Sequence, residues 1–230
     1  MDQPKTIVLT ISRLFASGGS FIGQAVAQRL GLRYTDRDIL ARAAQQSGLS
    51  EAELAASEER VAGFWSKAFR QYSIGVPEAP FIAPAAPPLY ERDLFRLESR
   101  IIREIASSFD AVVVGRAAFH VLADHPGMIS LHVHARHEWR VRRAMDLYGL
   151  ETEQVATELI RRSDQERAKF IRTFTGKDWN DISTHHLCLD TSAIGLDLAA
   201  DLMVTLVAAR IKAREAAAGN QVGRDATSAS

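Results

Sequence analysis

A Ser/Gly-rich loop, residues 17–20, follows an apolar segment, residues 6–12, and precedes an amphipathic one. A strand, a short glycine-rich loop and a helix in this order can hold a phosphate group. The backbone N–H groups of the loop and of the first helical turn then point at the anion, and the helix dipole adds positive potential there. We predict that the donor phosphates of a nucleotide are bound by five consecutive residues, Ser17, Gly18, Gly19, Ser20 and Phe21.

The loop departs in two places from the phosphate-binding pattern G-x-x-x-x-G-K-[ST]. Arg13 stands where the pattern has its first glycine, and Gly19 stands where it has lysine. If the protein transfers phosphate, another cation must replace that lysine. Arg13 is the candidate, because a guanidinium binds phosphate in a bidentate manner and keeps its charge; it could instead brace the loop or pair with Asp36. Ser20 takes the position of the Mg²⁺-binding hydroxyl, or acts only as a helix cap.

The composition is that of an ordinary globular chain. Of the 230 residues, 47% are hydrophobic, and 28 basic residues balance 28 acidic ones. A net charge of zero argues against broad nucleic-acid binding, which needs excess positive charge. The single cysteine, Cys188, excludes a disulfide within one chain, and its apolar neighbours predict a buried strand thiol.

The sequence indicates neither export nor membrane insertion. Its first residues lack a basic segment followed by an apolar run of the length of a secretory signal, and no stretch is long enough to span a bilayer. We therefore expect a cytoplasmic protein with no membrane partner.

Apolar runs and helical periodicity alternate along the chain. Strands are predicted at residues 6–12, 33–35, 111–115, 128–134 and 186–190, and helices at 20–30, 36–47 and 91–107. This alternation predicts an α/β fold with a parallel sheet flanked by helices.

We expect one domain over residues 1–212, with a helical insertion at about 48–109, a lid at about 151–180 and a disordered tail at 213–230. The insertion contains a segment with five prolines, residues 76–90, which must be an extended loop or flap. Its aromatic residues could stack on a base, but more often such a set packs against neighbouring helices or a second subunit, which would give a homodimer. These residues are Phe64, Trp65, Phe69 and Tyr72.

Further polar motifs follow predicted strands, at the sheet edge where open α/β folds bind ligands. Tyr34-Thr35-Asp36-Arg37 follows the second strand, and Gly115-Arg116 follows the third. A basic segment, residues 161–172, lies in the expected lid. His132 and His134 alternate on one strand with His137 nearby, and could ligate a metal, but core or surface histidines are the more usual meaning of such a pattern.

In their order and spacing, these features resemble the P-loop nucleoside monophosphate kinases and, among them, the cytidylate kinase-like family. The resemblance covers about residues 5–210. It includes Leu30-Gly31 before a short strand that ends at Asp36, a basic lid at 162–167, and an apolar strand that ends in Asp190-Thr191-Ser192. The chain departs from the family at the loop lysine and at Ala117, where the family has aspartate after Gly-Arg.

The resemblance implies a P-loop NTPase-type sheet, ATP and Mg²⁺ as cofactors, and phosphoryl transfer to a nucleoside monophosphate, with CMP or dCMP as the acceptor. It implies catalytic roles for Asp36, Arg162 and Arg167, beside the role of the missing lysine, for which the loop register makes Arg13 the candidate. It implies acceptor binding by Asp36, Arg37, Arg116 and Lys169.

Each role has a structural alternative. The lid cluster could be a solvated helix face, with Asp164 and Glu166 as helix partners. Helical spacing also places Ser163 and Arg167 on one side and Arg162 and Lys169 on another, so they cannot all face inward.

Two other functions stay open. The missing lysine and Ala117 are what a nucleotide-binding regulator that had lost turnover would show. The proline-rich flap would suit a kinase for another small acceptor.

Overall fold

The computed structural model describes residues 5–36 and 88–228. Several predictions lie outside the described residues: Arg37, the helix to residue 47, the aromatic set of the insertion and most of the proline-rich segment.

Five strands form one sheet. They are β1 Val8–Arg13, β2 Arg33–Thr35, β3 Ala111–Val114, β4 Met128–His134 and β5 Leu187–Asp190. Their order is β2-β3-β1-β4-β5, and every neighbouring pair is parallel. The predicted parallel α/β architecture is confirmed.

Helices follow the strands along the chain. They are α1 Gly19–Leu30, α2 Pro88–Ser108, α3 Ala118–Val121, α4 His137–Tyr148, α5 Glu153–Thr175, α6 Thr191–Ile194 and α7 Leu196–Ser228. Helix α5 fills most of the segment expected to be the lid. Helix α7 continues to Ser228 through a segment for which the sequence predicts disorder; the alanine-rich stretch at 216–218 favours helix.

Both faces of the sheet are covered, which is why its central strands read as unbroken apolar runs. Val8 of β1 packs with α2 and α3 on one face. Leu9 and Ile11, which point the opposite way, pack with α1 and α7 on the other face. The alternation of side chains along β1 thus joins the two halves of the core.

The site is built where β1 lies between β3 and β4. In this register Ile11 pairs with Val114, and the N–H of Gly115 donates to the carbonyl of Ile11. The loops that leave β1 and β3 therefore start side by side at the carboxyl edge of the sheet, where ligands bind in open α/β folds.

The prediction of a buried thiol at Cys188 is wrong. Strand β5 is at the edge of the sheet, and Cys188 is exposed. Its apolar neighbours Leu187 and Leu189 pack against the core instead. In the described part of the chain, no helix combines the length and the apolar character needed to cross a membrane.

Candidate phosphate-binding site

The loop between β1 and α1 has the backbone form of an anion-binding nest. Ala16 has φ 58° and Gly18 has φ 90°, so left-handed residues are interspersed along the turn that enters α1. The backbone N–H groups of Ala16, Gly18 and Gly19 donate to no acceptor in the described ranges. A left-handed alanine is costly and is typical of functional loops. The loop can therefore receive an anion.

Two of its glycines are restricted, Gly18 chiefly by its positive φ and Gly19 by the close approach of Arg13. A Cβ atom at Gly18 would lie 2.1 Å from Cδ2 of Leu196. A Cβ atom at Gly19 would lie 2.6 Å from Cβ and 2.8 Å from Cγ of Arg13. The lysine of the usual pattern therefore has no room at position 19 while Arg13 holds its present place.

The neighbouring serines and Phe21 have different surroundings. The Ser17 hydroxyl lies 2.8 Å from the carbonyl oxygen of Leu14 and 3.0 Å from that of Val133, so this side chain braces the loop. Ser20 is buried in the first turn of α1, and the Phe21 side chain is exposed. The N–H of Ser17 donates to the carbonyl of Leu14 at 3.3 Å, so Ser17 braces the loop with its backbone as well, and Phe21 can serve a phosphate through its backbone alone.

Arg13 runs from the loop towards β3. Its aliphatic stem covers Gly19, and a Cβ atom built on Gly115 would lie 2.2 Å from its Nη1. Its Nε is buried without a hydrogen-bond partner, and its guanidinium makes no ion pair with any described residue, including Asp36. A cation that no described carboxylate pairs thus lies between the β1 and β3 loops.

The loop after β3 is strained. Gly115, Arg116 and Ala117 have φ values of 81°, 52° and 54°, so two residues with side chains adopt the left-handed conformation in succession. Each such residue costs on the order of 1–2 kcal/mol. Backbone strain of this kind concentrates at functional sites.

Arg116 is held between two helices. Its Nε donates to Oε2 of Glu98 on α2 at 2.7 Å, and its guanidinium lies 4.4 Å from the ring centre of Phe170 on α5. The two charged side chains are 8% and 1% exposed, so the ion pair is buried. Arg116 therefore lies at the expected end of β3 with a carboxylate already bound.

Helix α5 separates the predicted lid residues as helical spacing requires. Arg167 is buried, and its Nη1 donates to the backbone carbonyl of Arg13 at 3.4 Å. Arg162 and Lys169 are exposed. Within this structure Arg167 is the lid arginine that contacts the loop.

Asp164 is more than a partner within its helix, which was the structural alternative for this residue. Its Oδ1 accepts the backbone N–H of Phe15 at 2.8 Å, and its Oδ2 accepts Nη1 of Arg140 at 2.5 Å. Arg140 Nη1 also reaches the carbonyl of Phe15 at 3.3 Å. Sequence reasoning missed the contacts of Asp164 and Arg140 with Phe15, because the two residues lie 149 and 125 positions from Phe15 in the chain. The available indication of a role for Asp164 was its position next to Ser163, which helical spacing places on the inward face.

Asp36 lies half-buried just beyond β2. Burial, and next the Asp36 carboxylate, raise the pKa of the Tyr34 hydroxyl well above its usual value. Tyr34 packs against α1, since a Cβ atom on Gly23 would lie 3.2 Å from its ring. Tyr34 therefore stays neutral beside the Asp36 carboxylate.

His132, which is buried, and His185, which is half-buried, lie close together. The ring centres of His132 and His185 are 5.3 Å apart, and burial lowers the pKa of each to about 4. Above the cluster, Nε1 of Trp179 donates to the Ser12 hydroxyl at 3.0 Å. Residues 5–36 and 88–228 contain no group of three ligands able to hold a metal ion, which favours the core interpretation of His132.

Comparison with solved structures gives several similar folds. An uncharacterized protein from Eubacterium ventriosum has a TM-score of 0.64 and 19% identity, covering 88% of this chain and 98% of its own, which shows a shared fold. Shikimate kinase from Bacteroides thetaiotaomicron gives 0.48 and 11%, covering 87% and 98%. A gluconokinase from Sinorhizobium meliloti gives 0.45 and 14%, covering 90% and 95%. A search of curated proteins found no match.

The family comparison spans the sheet and the loops described above. The sequence model of the cytidylate kinase-like family matches residues 8–193, from the first residue of β1 to α6. The matched range includes the β1 loop, the β3 loop and helix α5. The chain belongs to the cytidylate kinase-like family.

Proposed function

We propose that this protein transfers the γ-phosphoryl group of ATP to the phosphate of a nucleoside monophosphate, with CMP or dCMP as the acceptor. The products are ADP and the nucleoside diphosphate. Family membership supports a nucleotide-binding, kinase-like activity. The observation that carries the proposal is the guanidinium of Arg13, which has no ion-pair partner among residues 5–36 and 88–228, beside a loop with N–H groups that have no acceptor in the same ranges.

The described residues fit the phosphates of ATP. The N–H groups of Ala16, Gly18 and Gly19 have no acceptor in the described ranges, and they lie at the N-terminus of α1, where the helix dipole favours an anion. In the proposed complex these groups hold the donor phosphates.

The donor set also suits Mg²⁺, which binds through few protein oxygens and keeps water and substrate phosphates as its other ligands. The Ser20 hydroxyl would be its protein ligand, with Asp36 acting through water. Bound Mg²⁺ would neutralise charge on the phosphates.

Arg13 takes the electrostatic role of the missing lysine. Its stem crosses Gly19 and its guanidinium reaches Gly115, so the charge lies between the donor loop and the acceptor side. A fixed cation at that position stabilises negative charge that develops on the transferred group. Arg167 holds the backbone of Arg13 through its carbonyl and adds a second positive charge.

On the acceptor side the proposal assigns the phosphate to Arg116, and gives Asp36, Arg37 and Lys169 the acceptor-binding roles that the family resemblance implies. Glu98 already accepts from Arg116, so an acceptor phosphate must share or replace that carboxylate. The strained backbone at residues 115–117 supports a functional role for this loop.

The paired state of Arg116 and the alanine at position 117 favour a second candidate, a protein that binds nucleotide without transferring phosphate. A coupled assay of ADP release separates the two. ATP is supplied with CMP, dCMP, UMP, AMP, or a panel of sugars and hydroxy acids, and ATP affinity is measured by calorimetry in parallel.

The proposal predicts CMP- or dCMP-dependent ADP release well above the rate with ATP alone. Tight ATP binding with no acceptor-dependent release would establish the regulator. Release with a sugar or hydroxy acid alone would establish a different acceptor.

A further inference from the structure

We propose that Asp164 is a positioning residue for the donor-phosphate loop, and that it acts through the backbone of Phe15 and through Arg167. The inference rests on the proposed function for the identity of the loop's ligand. The contact between Asp164 and the loop can be tested without any nucleotide.

Asp164 joins the middle of α5 to the start of the loop. Its Oδ1 accepts the N–H of Phe15 at 2.8 Å, the only hydrogen bond of that N–H in the described residues. Its Oδ2 accepts Arg140 of α4 at 2.5 Å. The side chains of Asp164 and Arg140 are 18% and 10% exposed, so neither is freely hydrated. Hydrogen bonds to a charged acceptor in such surroundings are about twice as strong as neutral ones.

Arg167 extends this contact to Arg13. Its Nη1 lies 3.9 Å from Oδ1 of Asp164 and donates to the carbonyl of Arg13 at 3.4 Å. One carboxylate therefore holds the loop at Phe15 directly and at Arg13 through Arg167. Arg13 is the residue whose guanidinium no described carboxylate pairs, so its backbone position sets where that charge lies.

The ring of Phe15 fixes the same segment from the core side. It stacks on Tyr148 with ring centres 5.4 Å apart, and the guanidinium of Arg167 lies 5.6 Å from its centre. Phe15 is fully buried. The side chain is thus anchored by packing, while the direction of its N–H is set by Asp164.

This arrangement divides the loop amides into two groups. The N–H of Phe15 goes to Asp164 and that of Ser17 goes to the carbonyl of Leu14, so neither is available to a ligand. The N–H groups of Ala16, Gly18 and Gly19 keep that capacity. By binding the N–H of Phe15, Asp164 fixes the loop in a conformation in which the N–H groups of Ala16, Gly18 and Gly19 can face the anion.

The first test measures the exchange rate of the Phe15 amide by NMR, without nucleotide, in Asp164→Ala and Asp164→Asn. The amide oxygen of asparagine can still accept the Phe15 N–H but carries no charge. We expect exchange to rise roughly tenfold or more in Asp164→Ala, with Asp164→Asn in between. An exchange rate in Asp164→Ala equal to that of the wild type would overturn the proposal. If Asp164→Ala does not fold, the double variant Asp164→Asn, Arg140→Lys is measured instead, and a wild-type exchange rate in that variant would overturn the proposal.

The second test measures function. Asp164→Ala should weaken ATP binding in calorimetry by roughly tenfold and raise KM for ATP more than KM for the acceptor. The control is Glu158→Ala, which removes an exposed carboxylate of the same helix that pairs with Arg161. The positioning role would be contradicted if Glu158→Ala lost as much ATP affinity as Asp164→Ala. It would also be contradicted if a folded Asp164→Ala variant bound ATP as tightly as the wild type. If wild type binds no ATP, the proposed function fails, and the exchange measurement still decides the contact.

Discussion

The side chain of Arg13 fills the space that a side chain at position 19 would need. A Cβ atom on Gly19 would lie 2.6 Å from Cβ and 2.8 Å from Cγ of Arg13, closer than real atoms approach. In the usual pattern the glycine comes first and the lysine second; here the arginine comes first and the glycine second. The geometry explains why the two departures occur together, since a long side chain at one position requires none at the other.

Gly19→Ala should therefore impair the loop more than an ordinary glycine-to-alanine change in a helix. The new methyl group contacts the rigid base of the Arg13 side chain, so the guanidinium must move away from Gly115. We expect kcat to fall by about tenfold or more, measured by ADP release. Gly219→Ala, in α7 with nothing within 4 Å of the new atom, is the control and should leave kcat unchanged. Equal activity of the two variants would contradict the close contact.

Arg116→Ala should raise KM for the acceptor more than KM for ATP. It should also destabilise the fold, by up to about 3–5 kcal/mol, because the buried carboxylate of Glu98 loses the guanidinium of Arg116. The double variant Arg116→Met, Glu98→Gln removes both charges and should regain most of the stability in urea unfolding without regaining acceptor affinity. Recovery of acceptor affinity in that variant would show that Arg116 is purely structural.

The three basic residues assigned to the lid should differ in effect. Arg167 contacts the Arg13 carbonyl, whereas Arg162 and Lys169 face solvent. We expect Arg167→Ala to lower kcat/KM for ATP by at least about tenfold, and Arg162→Ala or Lys169→Ala to lower it by less than about threefold. Steady-state kinetics at several ATP concentrations measure this order. A larger loss in Arg162→Ala would show that α5 turns or moves during the reaction.

The His132–His185 cluster should make the protein sensitive to acid. Burial first, and neighbouring positive charges next, lower both pKa values from 6.5 to about 4. The unfolded chain then binds more protons than the folded one between these values, so the stability present above pH 6.5 is lost as pH falls towards 4.

Urea unfolding from pH 7.5 to 4 measures that loss, and His185→Phe should make it less steep. The exposed His137→Gln is the control. An unfolding midpoint of the wild type that does not change with pH would rule out buried neutral histidines.

Local sequence pattern was enough to predict the sheet. The apolar run of β3 and the β-branched run of β1 predicted central strands, and both have helices on each face. The pattern could not rank strands by position, so Cys188 was expected to be buried although β5 is an edge strand. The apolar neighbours of Cys188 would look the same in the sequence of a central strand and of an edge strand.

The loop's sequence predicts a phosphate site but does not indicate which residues hold the loop in place. The contact of Asp164 with Phe15 joins residues 149 positions apart, and nothing in the spacing of either segment indicates it. The inward and outward faces of α5 were predictable from helical spacing, which separated Arg167 from Arg162 and Lys169.

The double variant Arg13→Gly, Gly19→Lys gives the sharpest test of whether Arg13 replaces the loop lysine, because it restores the usual order of glycine and lysine in the loop. Arg13→Gly alone should lower kcat by about a hundredfold by removing the cation. Gly19→Lys alone should also lose activity, because its stem collides with that of Arg13. The account predicts that ADP release by the double variant exceeds that of either single variant, a positive coupling between contacting residues. Activity of the double variant no higher than that of Arg13→Gly would contradict the claim that Arg13 replaces the lysine.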